Sequence, residues 1–201
     1  MSKKLRRLED IAEISVGQIM TRVSTDKVDE EAIKSVKVLV PKSISGGVII
    51  KEDLGEANLS KEIDADKYTK AGDVVIKLST PYDAAYVTEE FAGIAIPSFC
   101  AAIRVKDNKM DLKYLSAFLN STYVRELLLS KVLGAVRPMI KITDIRAIEI
   151  PDVSEEDMKD IGEAFVLSGE KKATLQRMIE NESELMNNIV LASIKGGMTN
   201  E

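Results

Sequence analysis

The side chains able to do chemistry in this 201-residue chain are almost all carboxylates and cations: 33 Asp and Glu, 28 Lys and Arg, one Cys and no His. Without histidine the chain lacks the commonest general base and the commonest transition-metal ligand. The single cysteine, Cys100, leaves no ligand set for zinc. The phosphate-cradling GxxxxGK[ST], dinucleotide GxGxxG and nucleophile GxSxG patterns do not occur. No carboxylate cluster has a spacing that implies a metal or an acid/base pair. These residues point away from an enzyme and from any bound cofactor. What remains is surface chemistry, in which cations meet phosphates and apolar stripes meet another helix.

Charge is distributed unevenly. Taken whole, a net charge of -5 argues against nucleic-acid binding. Residues 1–150 carry 23 Lys and Arg against 22 Asp and Glu, a net +1, whereas residues 151–201 carry 5 against 11, a net -6. Within the first part, residues 91–150 carry 9 basic and 5 acidic groups, a net +4 compatible with phosphate contacts, although scattered cations are more often a plain solvated surface.

The elements that must position these groups divide at Pro151. Before it lie short apolar runs punctuated by Gly, Pro and Asp. Leu8–Ile14 is open to two readings, a short helix or an entering strand, and Gly17 breaks it. Val36–Val40 reads as a strand ended by Pro41, Ser43–Gly47 as a turn, and Val48–Ile50 as the next strand. Residues 51–70 are polar and read as a loop with room for one helical turn. Val74–Leu78, Ala84–Val87, Ile94–Ile96 and Cys100–Val105 read as further strands of a twisted, largely antiparallel or mixed sheet. From Asp111 the apolar spacing becomes helical, with Asn120-Ser121 dividing two helices and Gly134 stopping the second. Pro138–Ile140 reads as extended, Thr143–Ile145 as a turn or short helix, and Ala147–Ile150 as a last strand.

After Pro151 comes one helical pattern from Ser154 to about Lys195. Ser154 suits an N-cap, with Glu155, Glu156 and Asp157 in the first turn. About 40 residues give an arm of ~60 Å. Met158, Ile161, Phe165, Leu175, Ile179, Met186 and Ile189 approximate a coiled-coil seam, interrupted by Ser168, Lys172 and Glu182 and weakened at Gly169. A stripe through Leu175, Met178, Leu185 and Ile189 is the other placement. A helix folded back on its own domain is the alternative, but pairing with another chain is favoured. No apolar run is long enough to span a membrane, and the basic N-terminus leads into Leu8-Glu9-Asp10 rather than an apolar stretch. Cys100 in an apolar setting suggests a buried strand and a reducing, cytoplasmic location.

Four stretches together resemble the specificity (S) subunit of type I restriction–modification enzymes. They are Leu8–Ile14 with Gly17, Tyr68-Thr69-Lys70-Ala71-Gly72-Asp73-Val74-Val75-Ile76, Tyr114–Ser121 with Gly134 and Ile140, and Ile148-Glu149-Ile150-Pro151 running into Asp157–Ile161. The resemblance covers nearly the whole chain. It implies an α+β fold, a mixed twisted β-sheet with flanking helices over 1–150 acting as a target-recognition domain. One long coiled-coil-type helix over 151–201 would be the spacer and dimerisation arm. A full member carries two such domains and two spacers, so this chain resembles a half-subunit.

The resemblance further implies a homodimer reading a bipartite site on double-stranded DNA. It would dock adenine methyltransferase (M) subunits and, where the system includes them, restriction (R) subunits. Candidate DNA-binding residues on loops at one end of the sheet are then Gln18, Arg22, Lys42, Ser43, Lys77, Ser79, Thr80, Tyr82, Arg137 and Lys141. As a loop cation, Lys77 would be removable without cost to stability. Phe165, Leu175, Ile179, Met186 and Ile189 are the expected dimerisation residues. A competing reading is a module that keeps the fold and occupies the methyltransferase without reading DNA, which the acidic balance favours.

Overall fold

The computed structural model describes residues 5–25, 32–134 and 138–197. Strand β1 (Leu5–Arg7) and the single-turn helix α1 (Leu8–Ile11) lead into β2 (Ala12–Val16), so helix and strand occur in succession across Leu8–Ile14. Then come β3 (Lys34–Val38), β4 (Ile44–Ser45), β5 (Val48–Ile49), β6 (Gly55–Leu59), β7 (Val74–Lys77), β8 (Ala84–Tyr86) and β9 (Cys100–Val105). Helices α2 (Leu112–Leu119), α3 (Thr122–Lys131) and α4 (Ile142–Arg146), strand β10 (Glu149–Pro151) and the long helix α5 (Glu155–Gly197) complete an α+β chain.

The central sheet has the order β2-β9-β7-β8, and its ladders are antiparallel. Both of its faces are covered, which explains the continuous apolar run Val74-Val75-Ile76 where a half-exposed strand would alternate. Val74, Ile76, Ala84, Ala101 and Ile103 face a core completed by Leu115, Leu119, Val124, Leu128 and Ile145 from the three helices. Their neighbours Val75, Ala85, Cys100 and Ala102 face a second core under Leu39, Ile44, Ile49, Ile94 and Ile96. The side ribbons β1–β10, β3–β6 and β4–β5 are also antiparallel, and parallel pairing occurs at the single bridges Gln18–Pro97 and Val38–Ala95.

Polar side chains fix the joints. Asp111 caps α2 by accepting from the Tyr114 N–H at 2.7 Å. Asn120, at the end of α2, donates to the Ala84 carbonyl at 2.8 Å and accepts from the Ala84 N–H at 3.2 Å, so one amide docks the helix on edge strand β8. Gly72, at φ 88°, turns the chain into β7. The neighbouring Asp73 carboxylate accepts from the Lys70 N–H and from Arg104, which also donates to the Asp66 and Tyr68 carbonyls.

Two expectations fail. The polar stretch 51–70 contains β6, which pairs with β3 from Val38–Gly55 to Lys34–Leu59. Its Gly-Glu-Ala-Asn-Leu sequence is poor in strand formers, and the pairing with β3 overrides propensity. Ile94–Ile96 forms no strand; Ala95 makes only single bridges, to Val38 and Tyr68.

Helix α5 begins as expected: the Ser154 hydroxyl accepts from the Asp157 N–H at 3.1 Å and donates to its carboxylate at 2.6 Å. At 43 residues it is ~65 Å long. Its first half lies on the domain. Met158, Gly162 and Gly169 are buried, Phe165, Val166 and Ala173 are half-buried, and every described side chain from Thr174 to Ile194 is exposed. The folded-back alternative therefore describes the first half of the arm, and an unpartnered helix describes the second. Each helix-interior glycine costs about 1 kcal/mol relative to Ala, and here close packing against the domain stands opposite that cost.

Candidate nucleic-acid interface

The sheet gathers several loops at one end. Beyond β2, the Gly17 N–H donates to the Cys100 carbonyl at 3.0 Å and the Gln18 N–H to Ile96 at 2.7 Å. Beyond β7, the Leu78 N–H donates to Phe99 at 2.8 Å, and the Ile140 N–H donates to Leu78 at 2.9 Å. Residues 17–22, 78–81, 97–99 and 138–141 thus form a continuous rim. Of the expected site residues, the rim carries Gln18, Arg22, Ser79, Thr80 and Lys141. Arg22, Thr80 and Lys141 are exposed, and Gln18 and Ser79 are half-buried. Among the described residues neither Arg22 nor Lys141 is held in an ion pair, so both cations are free to meet an anion.

Lys42 is exposed but paired with Asp53 at 2.7 Å, and the hydrogen bond to that carboxylate, ahead of its charge, raises the lysine pKa. Ser43, Lys77 and Tyr82 are interior residues. The Ser43 hydroxyl donates to the Val40 carbonyl at 2.8 Å and accepts from the Val40 N–H at 3.0 Å, closing a turn. Two residues after Val75, Lys77 points into the second core, by the alternation of a strand. Its ammonium donates to the Pro41 and Ile44 carbonyls and lies 2.7 Å from Asp83, which also receives Arg125 at 2.6 Å. Tyr82 turns the chain at φ 59°, and its ring is 1% exposed in the first core. None of these three presents its side chain at the surface. Arg137 lies outside the described residues.

The arm residues divide similarly. Phe165 packs on Gly47 of the β4–β5 turn and so belongs to the contact between arm and domain. Leu175, Ile179, Met186 and Ile189 are 49–61% exposed and are joined by Met178, Leu185, Val190, Leu191 and Ile194. An apolar surface of this extent on a single helix is the signature of an interaction surface.

Sequence reasoning missed Thr21 and Ser98, which share the rim. Ser98 was hidden because the strand expected at Ile94–Ile96 placed it between two sheet elements. It also missed the packing role of Gly162 and Gly169, whose seven-residue spacing on a helical pattern was the available signal. Among the described residues no group of three or more His, Cys, Asp or Glu is placed to hold a metal ion. No described helix is long and apolar enough to cross a membrane.

This combination of a four-stranded antiparallel sheet, four short helices and one long arm is a fold shared with solved structures of type I restriction–modification systems. A chain of a type I restriction–modification system superposes with a TM-score of 0.61 at 18% identity, covering 95% of this chain and 49% of that one. The HsdS subunit from Thermoanaerobacter tengcongensis gives 0.60 at 18% identity, covering 91% and 47%. The type I S subunit from M. genitalium gives 0.57 at 14% identity, covering 93% and 44%. The chain spans about half the length of these structures. No protein-family model matches the sequence, and no curated protein matches it.

Proposed function

We propose that this chain is a DNA-recognition half-subunit of a type I restriction–modification complex. In this reading the rim around Gln18, Arg22, Ser79, Thr80 and Lys141 meets double-stranded DNA. The exposed stripe of α5 pairs two copies, and the paired arms dock methyltransferase subunits. The observation that carries the proposal is the fold likeness, which takes in 91–95% of this chain and about half of each S subunit. Two-fold pairing would give each copy one half of a bipartite, palindromic target. The chain's part is recognition, and methyl transfer belongs to the partner.

The experiment is duplex DNA binding at rising salt, alongside a tagged pull-down from the native cells. A recognition subunit binds duplex DNA with an affinity that falls steeply with salt and co-purifies an adenine methyltransferase in stoichiometric amount. The acidic arm, net -6, favours a second reading in which the chain occupies the methyltransferase without reading DNA. Methyltransferase recovery with no salt-dependent DNA binding would select that reading.

A further inference from the structure

We propose that Gly162, Phe165 and Gly169 set the direction in which α5 leaves the domain, and through it the gap between half-sites that two paired chains accept. The inference rests on the DNA-recognition reading above for its consequence, but not for its geometry.

The three residues lie on one stripe of α5, between the buried Met158 and the Arg177–Glu52 ion pair at 2.9 Å. At Gly162 a Cβ would sit 2.7 Å from the Tyr114 backbone nitrogen, 2.8 Å from the Asp111 carboxylate and 2.9 Å from Lys113 Cβ. That is the capped N-terminus of α2, which is anchored to the sheet. At Gly169 a Cβ would sit 2.5 Å from the Gly46 carbonyl oxygen and 3.0 Å from Val48 Cγ1, both in the β4–β5 hairpin. Between them Phe165 fills the space over Gly47, where a Cβ would overlap its ring. Gly47 itself holds φ 93°, which a larger residue adopts only with strain. The helix therefore touches the domain at two backbone points two turns apart, with an aromatic wedge between them. Two separated points fix a line, so they determine the direction of the arm as well as its position.

Leverage makes that direction matter. Thr174 to Ile194 spans ~30 Å at 1.5 Å per residue. A tilt of ~10° about the Gly169 contact, ~38 Å from Ile194 at 1.5 Å per residue, moves the far end by ~6–7 Å, more than the ~3.4 Å rise of one base pair. A methyl group at Gly169 meets backbone, which does not rotate aside, so relief comes by tilting or lifting the arm.

The test begins with selection of bound duplexes from a random pool by the parent protein, which fixes the half-site and gap. Duplexes with that half-site and gaps one to three base pairs shorter or longer are then titrated with parent, Gly169→Ala, Phe165→Ala and Ser168→Ala. Ser168 is exposed, so its substitution raises helix propensity without touching the hairpin. The parent and Ser168→Ala should prefer one gap by about tenfold or more, the scale of a DNA deformation cost. Gly169→Ala and Phe165→Ala should move that optimum or flatten it to about twofold, a contrast of about fivefold, while retaining single half-site binding. An unchanged gap profile in Gly169→Ala and Phe165→Ala would overturn the proposal.

If the parent selects no bipartite duplex, the DNA reading fails and the geometry is read directly. Spin labels at Ser35→Cys and Asn187→Cys, both exposed, report the angle of the arm in labelled protein diluted with unlabelled chain. A narrow distance distribution in the parent that shifts or broadens in Gly169→Ala supports the lock, and identical distributions overturn it.

Discussion

Lys77 Nζ lies 2.7 Å from the Asp83 carboxylate, and both side chains are more than nine-tenths buried. This pair sits where the second core meets the end of β7. Its remaining hydrogen-bonding capacity is taken up by the Pro41 and Ile44 carbonyls and by Arg125. A buried cation with three oxygen partners ties the segment 41–44 to the central sheet, so Lys77 is a structural residue, contrary to its sequence reading as a DNA-facing loop cation. Breaking a buried pair leaves an uncompensated charge, which costs ~3–5 kcal/mol. Because Arg125 still faces Asp83 when Lys77 is gone, Lys77→Ala should lie at the lower end, about 3 kcal/mol, with a melting temperature lower by ~6–12 °C. Thermal unfolding followed by circular dichroism checks this. An unshifted melt would mean that the pair contributes nothing to the fold.

The same side chain shows where the sequence stopped being legible. The run Val74–Leu78 identifies a strand, and its neighbours identify a sheet covered on both faces. Whether the lysine near its end points into the core or into solvent depends on how far the covering segment 41–44 extends, which is a tertiary fact. The helices α2 and α3 and the division between them were readable because Asp111, Asn120 and Ser121 mark ends locally. β6 was not, because its residues take strand form only through pairing with β3. The arm was readable as a helix but not as a packed half and an exposed half, since Gly162 and Gly169 look like weak points until the hairpin they admit is known.

Cys100 provides a titration that reports on the core. Burial pushes its thiol up to about 12 from the usual 9.0. Below pH 9 the thiol is protonated in both states and contributes nothing to pH dependence. Between 9 and 12 the unfolded chain releases the proton while the folded chain keeps it, so stability falls as pH rises. Denaturant unfolding of parent and Cys100→Ala at pH 8 and pH 10.5 isolates this effect, because all other groups titrate alike in both. The parent should lose about 2 kcal/mol more than the variant over that interval, from ~1.4 kcal/mol per pH unit. Equal losses would show that the thiol is solvated.

On the rim, Arg22 and Lys141 are the two exposed cations without ion pairs among the described residues, and they bound the loops that carry Gln18, Ser79 and Thr80. Cations that neutralise phosphates release counterions, so each phosphate left unneutralised lowers the slope of log affinity against log salt by about 0.9. Arg22→Ala and Lys141→Ala should each weaken binding to all duplexes alike and reduce the slope by about one for every phosphate the side chain had neutralised. Gln18→Ala should instead reduce discrimination between sequences with little change in slope. Titrations at four salt concentrations separate the two classes. Slopes equal to the parent's in both cation variants would place the DNA elsewhere on the molecule.

The exposed stripe of α5 yields the sharpest structural prediction. Leu175 and Ile179 are 49% and 61% exposed, one helical turn apart, and no described part of the domain covers them. They lie beyond Ala173, where the packing between arm and domain thins to the Arg177–Glu52 ion pair, so changing them disturbs neither core nor lock. Burying two aspartates in an apolar helix seam is costly enough to dissociate it. Leu175→Asp with Ile179→Asp should therefore give a monomer by light scattering, with a melting temperature that loses the concentration dependence of the paired parent while the near-ultraviolet circular dichroism of the domain is retained. Phe165→Ala should leave the dimer intact, because its ring packs on Gly47 of its own chain. A double variant that remains dimeric would move the chain-to-chain pairing off this stripe, and a Phe165→Ala monomer would show that the arm's first half takes part in it.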